Sequence, residues 1–191
     1  MKIGLYFGSF NPIHNGHMAI ANYMLEFTDL NEIWFVISPQ NPFKTKQKLL
    51  LDYHRLELVS IAINDTPGFR ASNIEFNLPK PSYTIDTLAY LYDKYPEKEF
   101  VLIMGSDNLV NFHKWKNFNE ILRNHQIYIY PRPNVKQVEL MKHPNVHKVD
   151  APLMEISSSF IRNAIKKEKD VRFFLPYKLW TYIKEMHFYE N

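Results

Sequence analysis

Apolar residues in this chain fall into short dense runs, separated by stretches with helical spacing. Ile3–Phe7 reads as a buried strand, and His17–Phe27 as a helix with Met18, Ile20, Ala21, Met24 and Leu25 on its apolar side. Glu32–Ser38 (EIWFVIS) predicts a second strand and Leu51–Asn64 a second helix. Phe69–Phe76 is more polar and predicts a peripheral strand. A helix over Ile85–Tyr95 leads to a strand at Phe100–Met104, then a helix over Asn117–Arg123 and a strand at Gln126–Tyr130 (QIYIY). The remainder predicts a strand near His147–Asp150 and helices near Ser158–Lys167 and Tyr177–Met186. Such alternation implies an α/β domain built on a mostly parallel sheet. Sheets of this kind bind ligands beyond the carboxyl ends of their strands. The connection at the exit of each strand is therefore the informative part.

No internal repeat, low-complexity tract or Gly/Ser linker divides the 191 residues. One domain over 1–191 is expected, with 157–191 as its C-terminal helical part. With 46% hydrophobic and 15% aromatic residues, a packed core is expected rather than disorder. The run FVLIM at 100–104 falls far short of the roughly 20 residues of a membrane helix. The opening KIGLYFG lacks the pattern of a signal peptide, and cysteine is absent, so a reducing cytoplasm is the expected location. A net charge of +3 suits an anionic substrate but is too small to argue for nucleic acid as the main partner.

Four of the connections after strands are polar or cationic: GSFNPIHNGHM at 8–18, SPQNPFKTKQK at 38–48, GSDNLVNFHKW at 105–115, and EISSSFIR at 155–162. In the first, Gly8 allows a tight turn and close approach of a ligand, and Asn15 or a neighbour can cap the next helix. His14 and His17 then flank a helix start whose free N–H groups attract anions, with Gly16 leaving room between them. Taken alone, the two imidazoles fit a helix cap, a metal site or an anion site. In ISSSFIR, three serines and Arg162 could grip a polyphosphate, yet for that segment alone an ordinary serine cap with a solvated arginine is the favoured reading. The familiar phosphate and nucleophile loops G-x-G-x-x-G, G-x-x-x-x-G-K-[ST] and G-x-S-x-G are missing, which weakens dehydrogenase, P-loop kinase and α/β-hydrolase readings.

Taken together, the segments carry a resemblance. GSFNPIHNGH resembles the H-x-G-H signature of the nucleotidyltransferase superfamily, and ISSSFIR resembles its C-terminal I-S-S-T-x-[IV]-R signature. NPFK after the second strand, PSYTIDTL at 81–88, MGSDNLVNFHKWKNF at 104–118 and the closing DVRFFLPYKLWTYI are similar to the bacterial nicotinate-nucleotide adenylyltransferases. The likeness runs along nearly the whole chain, in order. Phe7 and Asn11 depart from the family's Gly-Gly-Thr/Ser-Phe-Asp-Pro, and Asn11 keeps a turn-forming side chain.

The resemblance implies a Rossmann-like nucleotidyltransferase fold: a mostly parallel twisted sheet, helices on both faces and a small C-terminal helical lobe. It implies adenylyl transfer from ATP to nicotinate mononucleotide in NAD synthesis, with pyrophosphate released and Mg²⁺ travelling with ATP. By motif, His14, His17 and Arg162 would act on the phosphates. Gly8, Ser9, Phe10, Gly16, Gly105, Asp107, Ile156, Ser157 and Ser158 would bind ATP. Lys44, Thr84, Trp115, Lys116 and Arg132 would bind the mononucleotide, with ordinary core packing as the lesser alternative for Trp115. ATP and nicotinate mononucleotide are then the partners, with neither nucleic acid nor membrane, and the oligomeric state stays open, a homodimer included. Two alternatives remain: a superfamily enzyme acting on nicotinamide mononucleotide or phosphopantetheine, and a non-catalytic nucleotide-binding module.

Overall fold

The computed structural model describes residues 1–39, 49–136 and 138–190. Strands β1 (Lys2–Gly8), β2 (Glu32–Ile37), β3 (Phe69–Ser72), β4 (Glu99–Gly105), β5 (Ile127–Tyr130) and β6 (Val146–Lys148) form one sheet in the order β3-β2-β1-β4-β5-β6. Every neighbouring pair is parallel. The chain winds outward from β1 in one direction and from β4 in the other. The crevice above the carboxyl ends of these two strands is the ligand position of a doubly wound sheet.

Side-chain alternation along the strands feeds two cores. Ile3, Leu5, Trp34, Val36, Leu102, Met104 and Ile129 point to one face. There they meet Leu88 and Leu91 of α3 (Thr84–Lys94), Leu109 of α4 (Ser106–Val110), and Ile121 and Leu122 of α5 (Phe118–Asn124). Tyr6, Phe35, Ile37, Val101, Ile103, Tyr128 and Tyr130 point to the other. That face is covered by α1 (Asn15–Phe27), α2 (Asp52–Ile63), α6 (Ser158–Lys166) and α7 (Tyr177–Glu185), through residues such as Ile20, Met24, Leu58, Ile161, Leu179 and Ile183.

Three local departures from the sequence expectation matter for the site. Helix α1 starts at Asn15, because His14 itself takes the extended cap position (φ −150°, ψ 170°). Strand β3 ends at Ser72 rather than Phe76. Asn73 turns the chain, and Ile74–Asn77 form a 3₁₀ turn that buries Glu75. Helix α4 follows β4 directly and is too short to leave a periodic signal.

Arg55, which looks from its mid-helix position like a structural residue, ties the rim together. It is completely buried. Its Nε donates to the Leu50 carbonyl (3.1 Å), one terminal nitrogen to those of Ser9 (2.6 Å) and Ser38 (2.9 Å), and the other to Pro39 (3.4 Å) and the Asp52 carboxylate (2.6 Å). One cation thus fixes the exits of β1 and β2. The segment 40–48, with Lys44 and its neighbours Lys46 and Lys48, lies outside the described residues. Replacing Arg55 by Met keeps the stem but strands these carbonyls and takes from Asp52 one of its two cations, Lys80 being the other. Urea unfolding is expected to show a loss of about 3–5 kcal/mol, whereas a change below about 1 kcal/mol would contradict the tie.

Candidate active site

The connection between β1 and α1 is shaped by its own side chains. Phe10 adopts a left-handed backbone (φ 44°), unusual for a bulky residue, and its ring is buried. That ring lies against Gly8, where a Cβ would come within 2.7 Å of it. A Cβ on Gly16 would sit 3.1 Å from the His14 ring and 3.4 Å from Ile156 Cβ. Both glycines therefore serve close packing of aromatic rings, where the sequence alone suggests a turn and room for a ligand.

The two histidines stack, with ring centroids 3.7 Å apart. His17 Nδ1 accepts the backbone N–H of His14 at 3.3 Å. A neutral His17 therefore carries its proton on Nε2. His14 Nδ1 is buried and has no hydrogen-bond partner among the described residues. Burial, and then the charge of Arg132, lowers the pKa of His14 to about 4. At neutral pH His14 is thus an uncharged imidazole in the ligand-free protein, held where an anion would favour its protonation.

The C-terminal signature docks onto this loop. Ser157 caps α6, its Oγ accepting from Phe160 N–H at 3.2 Å. Ser158 Oγ donates to the Pro12 carbonyl (2.8 Å), and Arg162 to the Asn11 carbonyl (2.7 Å) and the Ser159 hydroxyl (3.2 Å). Asn11, the family departure, keeps acceptor chemistry: its Oδ1 takes Leu50 N–H (3.2 Å) and the Tyr189 hydroxyl (3.0 Å). The N–H groups of Asn15 and Gly16 at the start of α1, and of Ser158 and Ser159 at the start of α6, make no hydrogen bond among the described residues. Two open helix N-termini are thereby brought to one place, a natural anion site.

Beyond β4, Gly105 caps α4 and Asp107 lies in its exposed first turn. Asp107, Arg132, Pro133, Met154, Ile156 and Ser157 line an open groove of about 390 Å³. Arg132 reaches this groove from the end of β5, its Nε 3.8 Å from Asp107 and its terminal nitrogens on the Met154 carbonyl and the Tyr130 hydroxyl (3.3 Å each). Expected beside the mononucleotide, Arg132 thus shares a groove with residues expected to hold ATP.

On the other core face, the segments holding Thr84 and Trp115–Lys116 meet. Lys116 Nζ pairs with Asp86 in the first turn of α3 (2.9 Å) and lies 4.8 Å from the Tyr83 ring. Trp115, half-buried on Phe112 (5.2 Å between rings), borders a crevice with Phe7, Met104 and Asn108. The N–H groups of Thr84, Ile85 and Lys116 are without hydrogen bonds among the described residues, and no side chain caps α3. Asp86 lies within the PSYTIDTL segment, but its pairing with Lys116 depends on a proximity that only the fold establishes.

The His14 environment has a measurable consequence. The unfolded chain binds this proton with a pKa near 6.5 and the folded chain only near 4, so stability is full above that window and falls as pH drops through it. Between pH 7.5 and 5.0 this one group is expected to remove about 2 kcal/mol, a loss that His14→Asn abolishes. Identical pH slopes for the two proteins in urea unfolding would refute the buried neutral state.

Comparison with known proteins agrees with this geometry. The model of the cytidylyltransferase-like family matches residues 5–164. Probable nicotinate-nucleotide adenylyltransferases from Flavobacterium psychrophilum and Cytophaga hutchinsonii are 54% and 53% identical to this chain, with 100% of each sequence covered. The nicotinic acid mononucleotide adenylyltransferase of Plasmodium falciparum, solved in complex with NaAD, shares the fold with a TM-score of 0.84 at 23% identity, covering 99% of this chain and 97% of its own. No helix among the described residues is long and apolar enough to cross a membrane. By family match and full-length identity, with the H-x-G-H loop and the Ser-Arg segment docked on one another, the chain belongs to the nicotinate-nucleotide adenylyltransferases of the cytidylyltransferase-like family.

Proposed function

We propose that this chain transfers the adenylyl group of ATP to nicotinate mononucleotide, forming nicotinate adenine dinucleotide and pyrophosphate. The observation that carries the reading is the pair of open helix N-termini locked together by the Ser158–Pro12 and Arg162–Asn11 hydrogen bonds. Relatives named for nicotinate nucleotide, and the Plasmodium falciparum enzyme solved with NaAD, support the choice of acceptor.

The acceptor phosphate attacks the α-phosphorus in line, the new P–O bond forming as the bond to the pyrophosphate oxygen breaks. Nucleophile and leaving group are both anionic oxygens, so no general base or covalent intermediate is required. Catalysis then rests on positioning and on donors aimed at developing charge. The N–H groups of Asn15 and Gly16 would meet phosphate oxygens together with Nε2–H of His17. Those of Ser158 and Ser159, with Arg162, would hold the departing pyrophosphate. His14, neutral in the free protein, would gain a proton as the polyphosphate arrives, its burial offset by the new negative charge. Asp107 would accept from the ribose, and Arg132 would face the reacting phosphates from the nucleotide side. Thr84 and Lys116 would give N–H donors to the nicotinate carboxylate, with Trp115 against the pyridine. Among the described residues no three His, Asp or Glu side chains cluster to hold a metal. Mg²⁺ would travel with the phosphates of ATP, where it would neutralise charge on the leaving pyrophosphate.

A coupled pyrophosphate-release assay tests the reading. Turnover is expected with nicotinate mononucleotide in preference to the nicotinamide form, and no release with either would overturn it. His17→Ala is expected to lower kcat at least ~100-fold with the fold retained, the effect of losing one preorganised donor. Trp115→Ala is expected to raise KM for the mononucleotide more than for ATP; the opposite order would move Trp115 to the nucleotide side.

A further inference from the structure

Glu75 is a buried acid that the proposed chemistry does not use. It lies in the 3₁₀ turn after β3 and is 2% exposed. Its Oε1 accepts the Thr87 hydroxyl at 2.8 Å. Its Oε2, and the hydroxyl of Ser82 just before α3, are buried without a hydrogen bond among the described residues. Thr87 is completely buried, and its hydroxyl lies 3.4 Å from the Tyr83 carbonyl, which also accepts the N–H groups of Asp86 and Thr87. Burial raises the Glu75 pKa, and the hydrogen bond from the Thr87 hydroxyl opposes that rise.

A carboxyl buried with one strong partner is a costly way to fill space, and an apolar residue would pack the same turn more cheaply. Its position gives it another use. Thr87 lies one turn beyond Thr84, so the Glu75–Thr87 bond fixes the turn that carries the free N–H groups of Thr84 and Ile85 and the Asp86 carboxylate that holds Lys116. We propose that Glu75 is a positioning residue of the acceptor site: it pins the first turn of α3 through Thr87, and so sets where the N–H donors meet the carboxylate of the pyridine nucleotide. The proposal rests on the reading of Thr84 and Lys116 as acceptor anchors. It assigns Glu75 no contact with substrate.

The test separates acceptor from nucleotide. Glu75→Leu in the full chain is expected to raise KM for nicotinate mononucleotide roughly tenfold while KM for ATP stays within about twofold. Glu75→Gln, which keeps a carbonyl for the Thr87 hydroxyl, is expected to restore most of that loss. Thr87→Val, isosteric without the hydroxyl, is expected to reproduce the Leu phenotype, and adding Glu75→Leu to it is expected to cost little more. If Glu75→Leu does not fold by circular dichroism, Thr87→Val carries the same comparison. Equal rises in both KM values, no change in either, or no rescue by Gln would overturn the proposal. Failure of the wild-type chain to use nicotinate mononucleotide would instead overturn the function it rests on.

Discussion

The structure depends on two hydrogen bonds that join the far ends of the sequence. Ser158 and Arg162 reach the carbonyls of Pro12 and Asn11 across separations of 146 and 151 residues. Without them α1 and α6 would be two helices on one face of a sheet, each with open N–H groups facing its own patch of solvent. With them, two partial positive ends point to one place. A triphosphate needs such an arrangement, because its charge is spread along a chain of phosphates rather than concentrated at one atom. Everything else on this rim reinforces the same geometry: the Phe10 ring packs on Gly8, Arg55 holds the Ser9 carbonyl, and Tyr189 closes over Asn11.

Electrostatics explains how the site can be both stable and reactive. A permanently charged imidazole at His14, next to Arg132, would repel its neighbours in the ligand-free fold. Burial and the Arg132 charge keep it neutral there. Incoming phosphates would reverse the balance, so the positive charge would arrive with the substrate that needs it. The acceptor side works differently. In the proposed function its donors would be backbone N–H groups on α3 and at Lys116, beside the Lys116–Asp86 ion pair and the Glu75–Thr87 hydrogen bond. Charge would then reach the phosphates from side chains and helix ends, and the pyridine ring would be placed by fixed backbone.

Much of this was legible in the residues themselves. The strands β1, β2, β4 and β5 announce themselves as dense apolar runs, the edge strands β3 and β6 do not, and the mid-helix position of Arg55 already marked it as structural. The structure joins the H-x-G-H loop to ISSSFIR, two segments that the sequence pairs only through the family resemblance. Other features were hidden for physical reasons. Gly8 and Gly16 look like freedom for a ligand until the rings of Phe10 and His14 are seen against them. Glu75 sits in a polar stretch that reads as a solvated edge strand. Only the turn at Asn73 carries it inward. Arg132 depends on how far β5 runs before the chain turns, which periodicity does not resolve. The family likeness singled out the Thr84 and Trp115–Lys116 segments; the fold showed the Lys116–Asp86 pair that holds them together.

The central claim is that the starts of α1 and α6 bind one polyphosphate jointly. An NMR titration of the ¹⁵N-labelled chain with a non-hydrolysable ATP analogue tests it most directly. The amides of Asn15 and Gly16 and those of Ser158 and Ser159 are predicted to shift together along one binding curve, with the His14 ring gaining its proton over the same range. Shifts confined to one helix start, or two curves with different midpoints, would contradict it.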